Sequence, residues 1–178
     1  MVVGHPPAAA ADLADLAAAA EVLAGAAPAE VGSEMRTKEF LSKLEHDLIV
    51  AAIREAESKT SGQIRVFIQR GKLNVDPLIA AQKKFHRLGM HKTTERNAVL
   101  IFVAPRAHKF AVVGDQAIHE KCGEAFWQQR VEDMREHFRN EKFSHALVEA
   151  IEEAGKALAS HFPKRSTSSG LPNEIVEG

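Results

Sequence analysis

A continuous apolar run, "NAVLIFVA" at residues 97–104, constrains this chain more than any other segment. A strand with one face in water alternates apolar and polar residues, whereas a run that is apolar throughout predicts a strand covered on both faces. A second apolar run, "KFAVVG" at residues 109–114, follows after the four-residue link "PRAH", which is the spacing of a hairpin. The two runs therefore predict a buried antiparallel pair of strands with other elements packed on each side.

The segments that precede the hairpin supply two of those elements. The segment "FLSKLEHDLIVAAIREAESKT" carries a broad apolar stripe at helical spacing and predicts one helix. Ser42 and Glu45 have the spacing of a capping box, which predicts the start of that helix. The segment "QIRVFI" at residues 63–68 places Ile and Val at alternate positions and predicts a strand.

The remaining segments predict three more helices. Asp76 and Pro77 predict the cap and first position of a helix before the apolar run. Apolar residues at helical spacing predict two closing helices, over about residues 124–138 and 143–161. The order helix, strand, helix, strand, strand, helix, helix predicts an α/β fold, a three-layer α/β/α sandwich with a small mixed sheet flanked by helices.

This order predicts which chain segments meet at one end of the sheet. The first two strands are joined through a helix, so they are expected to be parallel, and the hairpin strands are antiparallel. The starts of the first two strands and the end of the third then lie at the same edge. Hydroxyl, guanidinium, amide and carboxylate groups meet there, a set suited to an oxyanion or a hard cation. The candidate ligand-binding residues are Ser61, Gly62, Arg96, Asn97, Gly114 and Asp115, with Asp115 also the candidate metal ligand.

A purely structural role for the same residues is the alternative. Asp115 precedes a predicted helical turn, where an aspartate is a common cap. Gly114 is expected, in this interpretation, to supply a backbone angle that other residues avoid. Arg96 and Asp115 would form an ion pair across the hairpin. The sequence leaves both interpretations open.

Familiar catalytic signatures are missing from the sequence. Cys122 is the single cysteine, has no arginine at phosphatase-loop spacing, and lies on an apolar pattern that favours a buried, inert thiol. There is no nucleophile elbow, phosphate-binding loop or dinucleotide fingerprint. His86 and His91 lie five residues apart without a third ligand at zinc spacing, which favours surface histidines. Catalysis, if any, would have to be metal-assisted hydrolysis at the sheet edge.

Composition sets the domain limits. Residues 1–34 contain 13 alanines and five acidic groups but no Lys or Arg, and predict a disordered extension. Residues 35–163 form the predicted domain, with Met35 an alternative start, and the polar residues 164–178 predict a flexible tail. Five of the 24 acidic groups and none of the 23 basic groups lie in the first segment, which leaves +4 on residues 35–178. That charge is too mild to predict a nucleic-acid partner.

Four segments, in this order, resemble the TPM domain, a family named from a thylakoid lumen protein, a photosystem II repair protein and a receptor modulator. "AIREAESKTSGQIRVFI" is similar to its helix-to-strand signature, and "TTERNAVLIFVAPRAHKFAVVGDQAI" to its central hairpin. "FWQQRVEDMREHF" and "EAGKALASHFP" are similar to its closing helices. The resemblance spans about residues 40–163 and implies the three-layer α/β/α fold predicted above.

The resemblance also implies a choice of functions. Some members are associated with acid phosphatase activity and divalent cations, and others with the assembly or repair of membrane complexes. Two departures weaken the metal interpretation, because Gln63 stands where relatives commonly carry an acid and Ala117 where they often carry glycine. With Asp115 as its one evident carboxylate, the site is expected to bind Ca²⁺ or Mg²⁺ weakly.

The resulting expectation is a non-catalytic binding or assembly module with an unknown protein partner, and enzyme activity is left undecided. The alternative is a divalent-cation-dependent, acid phosphatase-like hydrolase acting on phosphomonoesters, in which Arg96 would hold phosphate oxygens. A bare structural domain or a binder of another ligand is also open. The chain has one cysteine, no apolar run of membrane-spanning length and no recognisable signal segment. We therefore expect a cytoplasmic protein without direct membrane insertion.

Overall fold

The computed structural model describes residues 37–165, so Met35, the predicted extension at residues 1–34 and most of the predicted tail lie outside it. Six α-helices and three strands follow one another in the described part of the chain, with short 3-10 helices at Met90–Lys92 and Pro105–Ala107. In chain order they are α1 (Thr37–Ser42), α2 (His46–Ser58), β1 (Gln63–Ile68), α3 (Pro77–Arg87), β2 (Ala98–Ala104), β3 (Lys109–Gly114), α4 (Gln116–Cys122), α5 (Glu124–Arg139) and α6 (Phe143–His161).

The sheet has the predicted topology. Its strands lie in the order β1-β2-β3, with β1 parallel to β2 and β2 antiparallel to β3. Gln63 lies opposite Ala98 in the parallel pair, and Val99 lies opposite Gly114 in the antiparallel pair. The starts of β1 and β2 and the end of β3 therefore share one edge of the sheet, as predicted.

Both faces of the central strand are covered, which explains its unbroken apolar sequence. All seven residues of β2 are buried. Leu100 and Phe102 belong to one apolar cluster, which α3 completes with Leu78 and Phe85. The alternate residues of β2 belong to a second cluster with α2, α5 and α6; these residues are Val99, Ile101 and Val103. The three-layer α/β/α arrangement is thereby confirmed.

The predicted first helix is two helices, and its predicted capping box is wrong. The Ser42 hydroxyl donates to a carbonyl of its own helix at 2.7 Å, and Glu45 gives α2 no side-chain cap. The Glu45 N–H instead donates to the Ser144 hydroxyl on α6 at 3.0 Å. Phe40 on α1 is only 1% exposed, and its ring packs at a tilt against that of Phe143 with the centroids 4.9 Å apart. Burial of this ring against α6 favours an interruption of the helix between residues 42 and 46, which the local sequence pattern does not reveal.

The bounds of the other elements agree closely with those predicted from the sequence. The Asp76 carboxylate accepts the Leu78 N–H at 2.8 Å, and Pro77 opens α3, as predicted. Helix α5 ends one residue later than expected, and α6 has the predicted bounds. The predicted turn after Asp115 is the seven-residue helix α4. No helix within residues 37–165 combines the length and apolar character needed to cross a membrane.

Candidate functional site

Three chain segments converge at the sheet edge where β1 and β2 begin and β3 ends. The Asp115 N–H donates to the Ala98 carbonyl at 2.8 Å, which continues the β2–β3 ladder to the residue before α4. Five polar side chains meet at this edge, and we call them the edge cluster. They are Ser61, Glu95, Arg96, Asn97 and Asp115.

Arg96 and Asp115 form a two-pronged ion pair. Arg96 Nε donates to Asp115 Oδ2 at 2.9 Å, and Arg96 Nη2 donates to Asp115 Oδ1 at 2.8 Å. The Asp115 side chain is 4% exposed, whereas that of Arg96 is 45% exposed. Asp115 Oδ1 also accepts the Gln116 N–H at 2.8 Å and so caps α4. The cap and the ion pair expected in the structural interpretation are therefore both present.

The backbone of Arg96 adopts a left-handed conformation. Its φ of 51° lies in the left-handed region, which few residues other than glycine, asparagine and aspartate adopt. The Arg96 N–H donates to the Thr93 carbonyl at 3.2 Å, and its own carbonyl accepts the Ala117 N–H at 3.0 Å. The second bond ties the segment before β2 to the first turn of α4. Arg96 is thus fixed to this helix by its backbone as well as by its side chain.

A second branch of the edge cluster links β1 to β2. The Asn97 side-chain amide donates to Ser61 Oγ at 3.1 Å, and Ser61 Oγ donates to the Glu95 carboxylate. Asn97 is 1% exposed, while Ser61 lies at the surface and Glu95 is half-buried. The sequence prediction omitted Glu95. Its position directly before Arg96, in the segment expected at this edge, was the signal that could have identified it.

Both candidate glycines allow close packing. A Cβ atom on Gly62 would lie 2.7 Å from Leu158 Cδ2 and 2.8 Å from the Asn97 carbonyl oxygen. A Cβ atom on Gly114 would lie 2.7 Å from Trp127 Cζ2. The expectation that Gly114 supplies an unusual backbone angle is wrong, because its φ lies outside the left-handed region and the constraint is the Trp127 ring.

The edge cluster has few oxygen atoms available to a hard cation. Calcium and magnesium bind six or more oxygen ligands, with carboxylates supplying the charge. Both oxygens of Asp115 already accept from Arg96, and one accepts from Gln116 as well. The cluster in this arrangement does not fit a cation at Asp115, because the guanidinium would first have to leave. Metal binding by Asp115 therefore stays a prediction that requires Arg96 to move.

Cys122 has the properties of an unreactive thiol. It is a free cysteine at the end of α4 and is partly buried. Burial raises its pKa above the ordinary value of 9.0, since the uncharged thiol is favoured away from water. The thiolate, which is the nucleophilic form, is therefore scarce at neutral pH. This agrees with the inert thiol predicted from the sequence.

The chain is similar to a known protein family and to solved structures. A family model described as the TPM domain matches residues 35–157. The NMR structure of the BA42 protein from the psychrophilic bacterium Bizionia argentinensis has a TM-score of 0.63 at 37% sequence identity, covering 76% of this chain and 95% of that one. None of the curated proteins matches the chain.

A second solved structure is similar in fold alone. It is the N-terminal domain of the cg2496 protein from Corynebacterium glutamicum, determined by solution NMR. Its TM-score is 0.52 at 18% identity, with 74% of this chain and 80% of that chain covered. The three-layer architecture thus recurs in a distant sequence.

Proposed function

Because this chain belongs to the TPM domain family, whose model matches residues 35–157, we propose that it is a non-catalytic binding or assembly module for a protein partner. The edge cluster is its proposed binding surface. The observation that carries the proposal is the division of this cluster into buried anchors and exposed groups. Asp115 and Asn97 are 5% and 1% exposed, and they hold the outer side chains of Arg96 and Ser61.

This division favours recognition because the outer groups are already positioned. A flexible side chain loses rotamer freedom when it binds, at a cost of about 0.5–1.5 kcal/mol. Arg96 is restrained by two hydrogen bonds to one carboxylate, and Ser61 by Asn97 and Glu95. Much of that cost is therefore met on folding. An arginine at a sheet edge suits a partner that presents acidic or carbonyl groups.

The experiment that tests for a partner compares the same substitution at two exposed serines, one in the edge cluster and one outside it. We expect Ser61→Arg to place a bulky side chain on the edge cluster and to reduce partner capture at least about tenfold, which corresponds to about 1.4 kcal/mol. Ser42→Arg makes the same change at an exposed position on α1 and should capture as wild type does. Crosslinking from the native cell extract, followed by quantitative mass spectrometry of all three baits, measures this. Equal capture of the same protein by wild type and Ser61→Arg would remove the edge cluster from the proposal.

The alternative function is a divalent-cation-dependent, acid phosphatase-like hydrolase of phosphomonoesters. It is favoured by the meeting of a guanidinium with two carboxylates, those of Glu95 and Asp115, at one edge. A guanidinium matches phosphate oxygens in two-pronged fashion, and carboxylates ligate Mg²⁺ or Ca²⁺. This function requires Arg96 to release Asp115, which the binding-module proposal does not require.

An assay with p-nitrophenyl phosphate separates the two functions. The full chain is assayed at acid and neutral pH with chelator and with millimolar Ca²⁺ or Mg²⁺, and the non-catalytic proposal predicts no turnover above the blank. Turnover that is lost in Asp115→Asn but kept in Asp47→Asn would establish the hydrolase, since Asp47 is an exposed carboxylate on α2. Turnover that survives Asp115→Asn would be assigned to a contaminant.

We also propose a cytoplasmic location and no nucleic-acid partner. One cysteine allows no internal disulfide, and such bridges are typical of small proteins in oxidising compartments. A net charge of −1 supplies no strong electrostatic attraction to phosphate backbones. Fractionation of the native cells with an antibody to the chain tests the location, and recovery outside the cytoplasmic fraction would overturn it.

A further inference from the structure

A second group of ligand-type side chains lies where α5 passes into α6, apart from the edge cluster. It consists of His137 in the last turn of α5, His145 in the first turn of α6, and Glu149 one turn later. One donor atom from each lies within 4.8 Å of the others. From this geometry we propose a binding site for a divalent transition-metal ion of the Zn²⁺ class.

The positions of the three side chains follow from helix geometry. His145 and Glu149 are four residues apart, so they lie one above the other on the same face of α6. The turn at residues 140–142 reverses the chain, with Glu141 at a φ of 56°, and brings His137 back over that face. The rings of His137 and His145 meet edge to face with their centroids 4.6 Å apart.

The distances between the donor atoms can be compared with those that a tetrahedral ion requires. Zn–N and Zn–O distances of about 2.0–2.1 Å place neighbouring ligand atoms about 3.3 Å apart. His137 Nε2 lies 2.7 Å from Glu149 Oε2, and His145 Nε2 lies 3.7 Å from the same oxygen. The donor atoms of the two histidines lie at most 4.8 Å apart, so that separation would have to shorten by up to about 1.5 Å to complete the three-ligand set. His145 is 64% exposed, so small rotations of its side chain meet little steric resistance and water can take the fourth position.

The chemistry of the three donors selects the class of ion. Imidazole nitrogen binds Zn²⁺, Co²⁺, Ni²⁺ and Cu²⁺ well, whereas Mg²⁺ and Ca²⁺ prefer sets made only of oxygen. Two histidines and one glutamate are a known ligand set for Zn²⁺ with one position open. The proposed site therefore differs in ligand type from the hard-cation site predicted at Asp115.

The charges around the site leave Glu149 available to the ion. Arg130 lines the same shallow hollow, where its Nη2 lies 3.0 Å from Asp133 and its Nη1 lies 2.7 Å from Glu153. Both terminal nitrogens of this guanidinium are thus engaged by other carboxylates. The Glu149 carboxylate instead lies beside the imidazole rings of His137 and His145. A metal ion bound here would replace the direct contacts between the Glu149 carboxylate and the two imidazoles.

Calorimetry with Zn²⁺ on tag-free, chelator-treated full chain tests the proposal. We expect wild type to bind Zn²⁺ at one site and its thermal midpoint to rise with Zn²⁺, because an ion that binds the folded state stabilises it. His145→Ala should lower the affinity at least about tenfold, since even loss of an outer partner of a ligand costs about 10–100-fold. Glu149→Gln, which keeps the side-chain size, should do the same. Millimolar Mg²⁺ should not reproduce the rise in midpoint.

Two histidine controls make the result specific. His161→Ala changes an exposed histidine at the end of α6 and should bind as wild type does. His86→Ala breaks the other close histidine pair, in which the ring of His86 lies 4.6 Å from that of His91, and should also bind as wild type does. Failure of wild type to bind Zn²⁺, or equal affinity in His145→Ala, would overturn the site. Loss of binding in His86→Ala alone would likewise overturn it and assign the ion to the other pair.

Discussion

Replacement of Asp115 tests how much of the edge cluster is structural. This carboxylate caps α4 and holds Arg96 through two hydrogen bonds, and its side chain is 4% exposed. Loss of an N-terminal cap costs about 1 kcal/mol. Charge-assisted hydrogen bonds contribute about 1.5–3 kcal/mol in buried settings, but Arg96 is half-exposed and solvent reduces this to about 1 kcal/mol. We therefore expect Asp115→Ala to lower the free energy of unfolding by about 2 kcal/mol.

Asp115→Asn separates the two contributions. The asparagine side chain is as good a cap as aspartate, so this variant loses the charge but keeps the acceptor for Gln116. We expect a loss of about 1 kcal/mol, about half of the alanine effect. Urea unfolding at neutral pH, with the midpoint shifted and the slope unchanged, measures both variants. A double-mutant cycle with Arg96→Gln should give a coupling energy of about 1 kcal/mol.

Three outcomes would refute this reasoning. If Asp115→Ala lowers the stability by less than about 0.5 kcal/mol, the cap and the pair make no net contribution. If the cycle shows no coupling, Arg96 does not act through Asp115. If Asp115→Asn raises the stability, the carboxylate is held at a cost, which is the pattern of a residue kept for function. That last result would strengthen the hydrolase alternative.

Three further predictions concern other positions. Gly114→Ala should lower the stability by about 1–3 kcal/mol, because its Cβ would press on the buried Trp127 ring, and fluorescence of this single tryptophan during urea unfolding measures it. Cys122 should react with a disulfide reagent more slowly at pH 8 than a free cysteine does, since burial raises its pKa above 9.0; an equal rate would contradict the buried thiol. The hydrogen bond from Lys156 lowers the pKa of Glu153 below 4.5, so Glu153→Gln should destabilise the protein at neutral pH. That difference should narrow as the pH falls through the lowered pKa, and a difference that persists in acid would contradict it.

Much of the fold follows from local patterns in the sequence. The run at residues 98–104 has no polar position, as expected for a central strand between two helical layers. The four-residue link fixes β2 and β3 as a hairpin, and the helix between β1 and β2 fixes them as parallel. The convergence of Ser61, Arg96 and Asp115 at one edge follows from that topology alone, because it depends on strand direction and not on side-chain detail.

Contacts between distant segments decided what the patterns could not. Ser42 and Glu45 have the spacing of a capping box, yet Ser144 on α6 takes the Glu45 N–H and the helix begins later. The sequence pattern predicts that Gly114 serves the backbone angle of a turn, yet a larger residue is excluded there by the Trp127 ring of α5. In each case the partner belongs to another element, so the local spacing of residues does not encode it.

The sequence by itself determined the layers, the strand order and the edge at which the polar residues meet, because these depend on hydrophobic periodicity and connection type. Only the tertiary structure decided how those residues are used. It paired both oxygens of Asp115 with Arg96, brought Glu95 to Ser61, and set His137 beside Glu149. A displacement of a few tenths of an ångström to about 1 Å makes or breaks a hydrogen bond or a metal-ligand contact. Packing between elements sets the atomic positions to that precision.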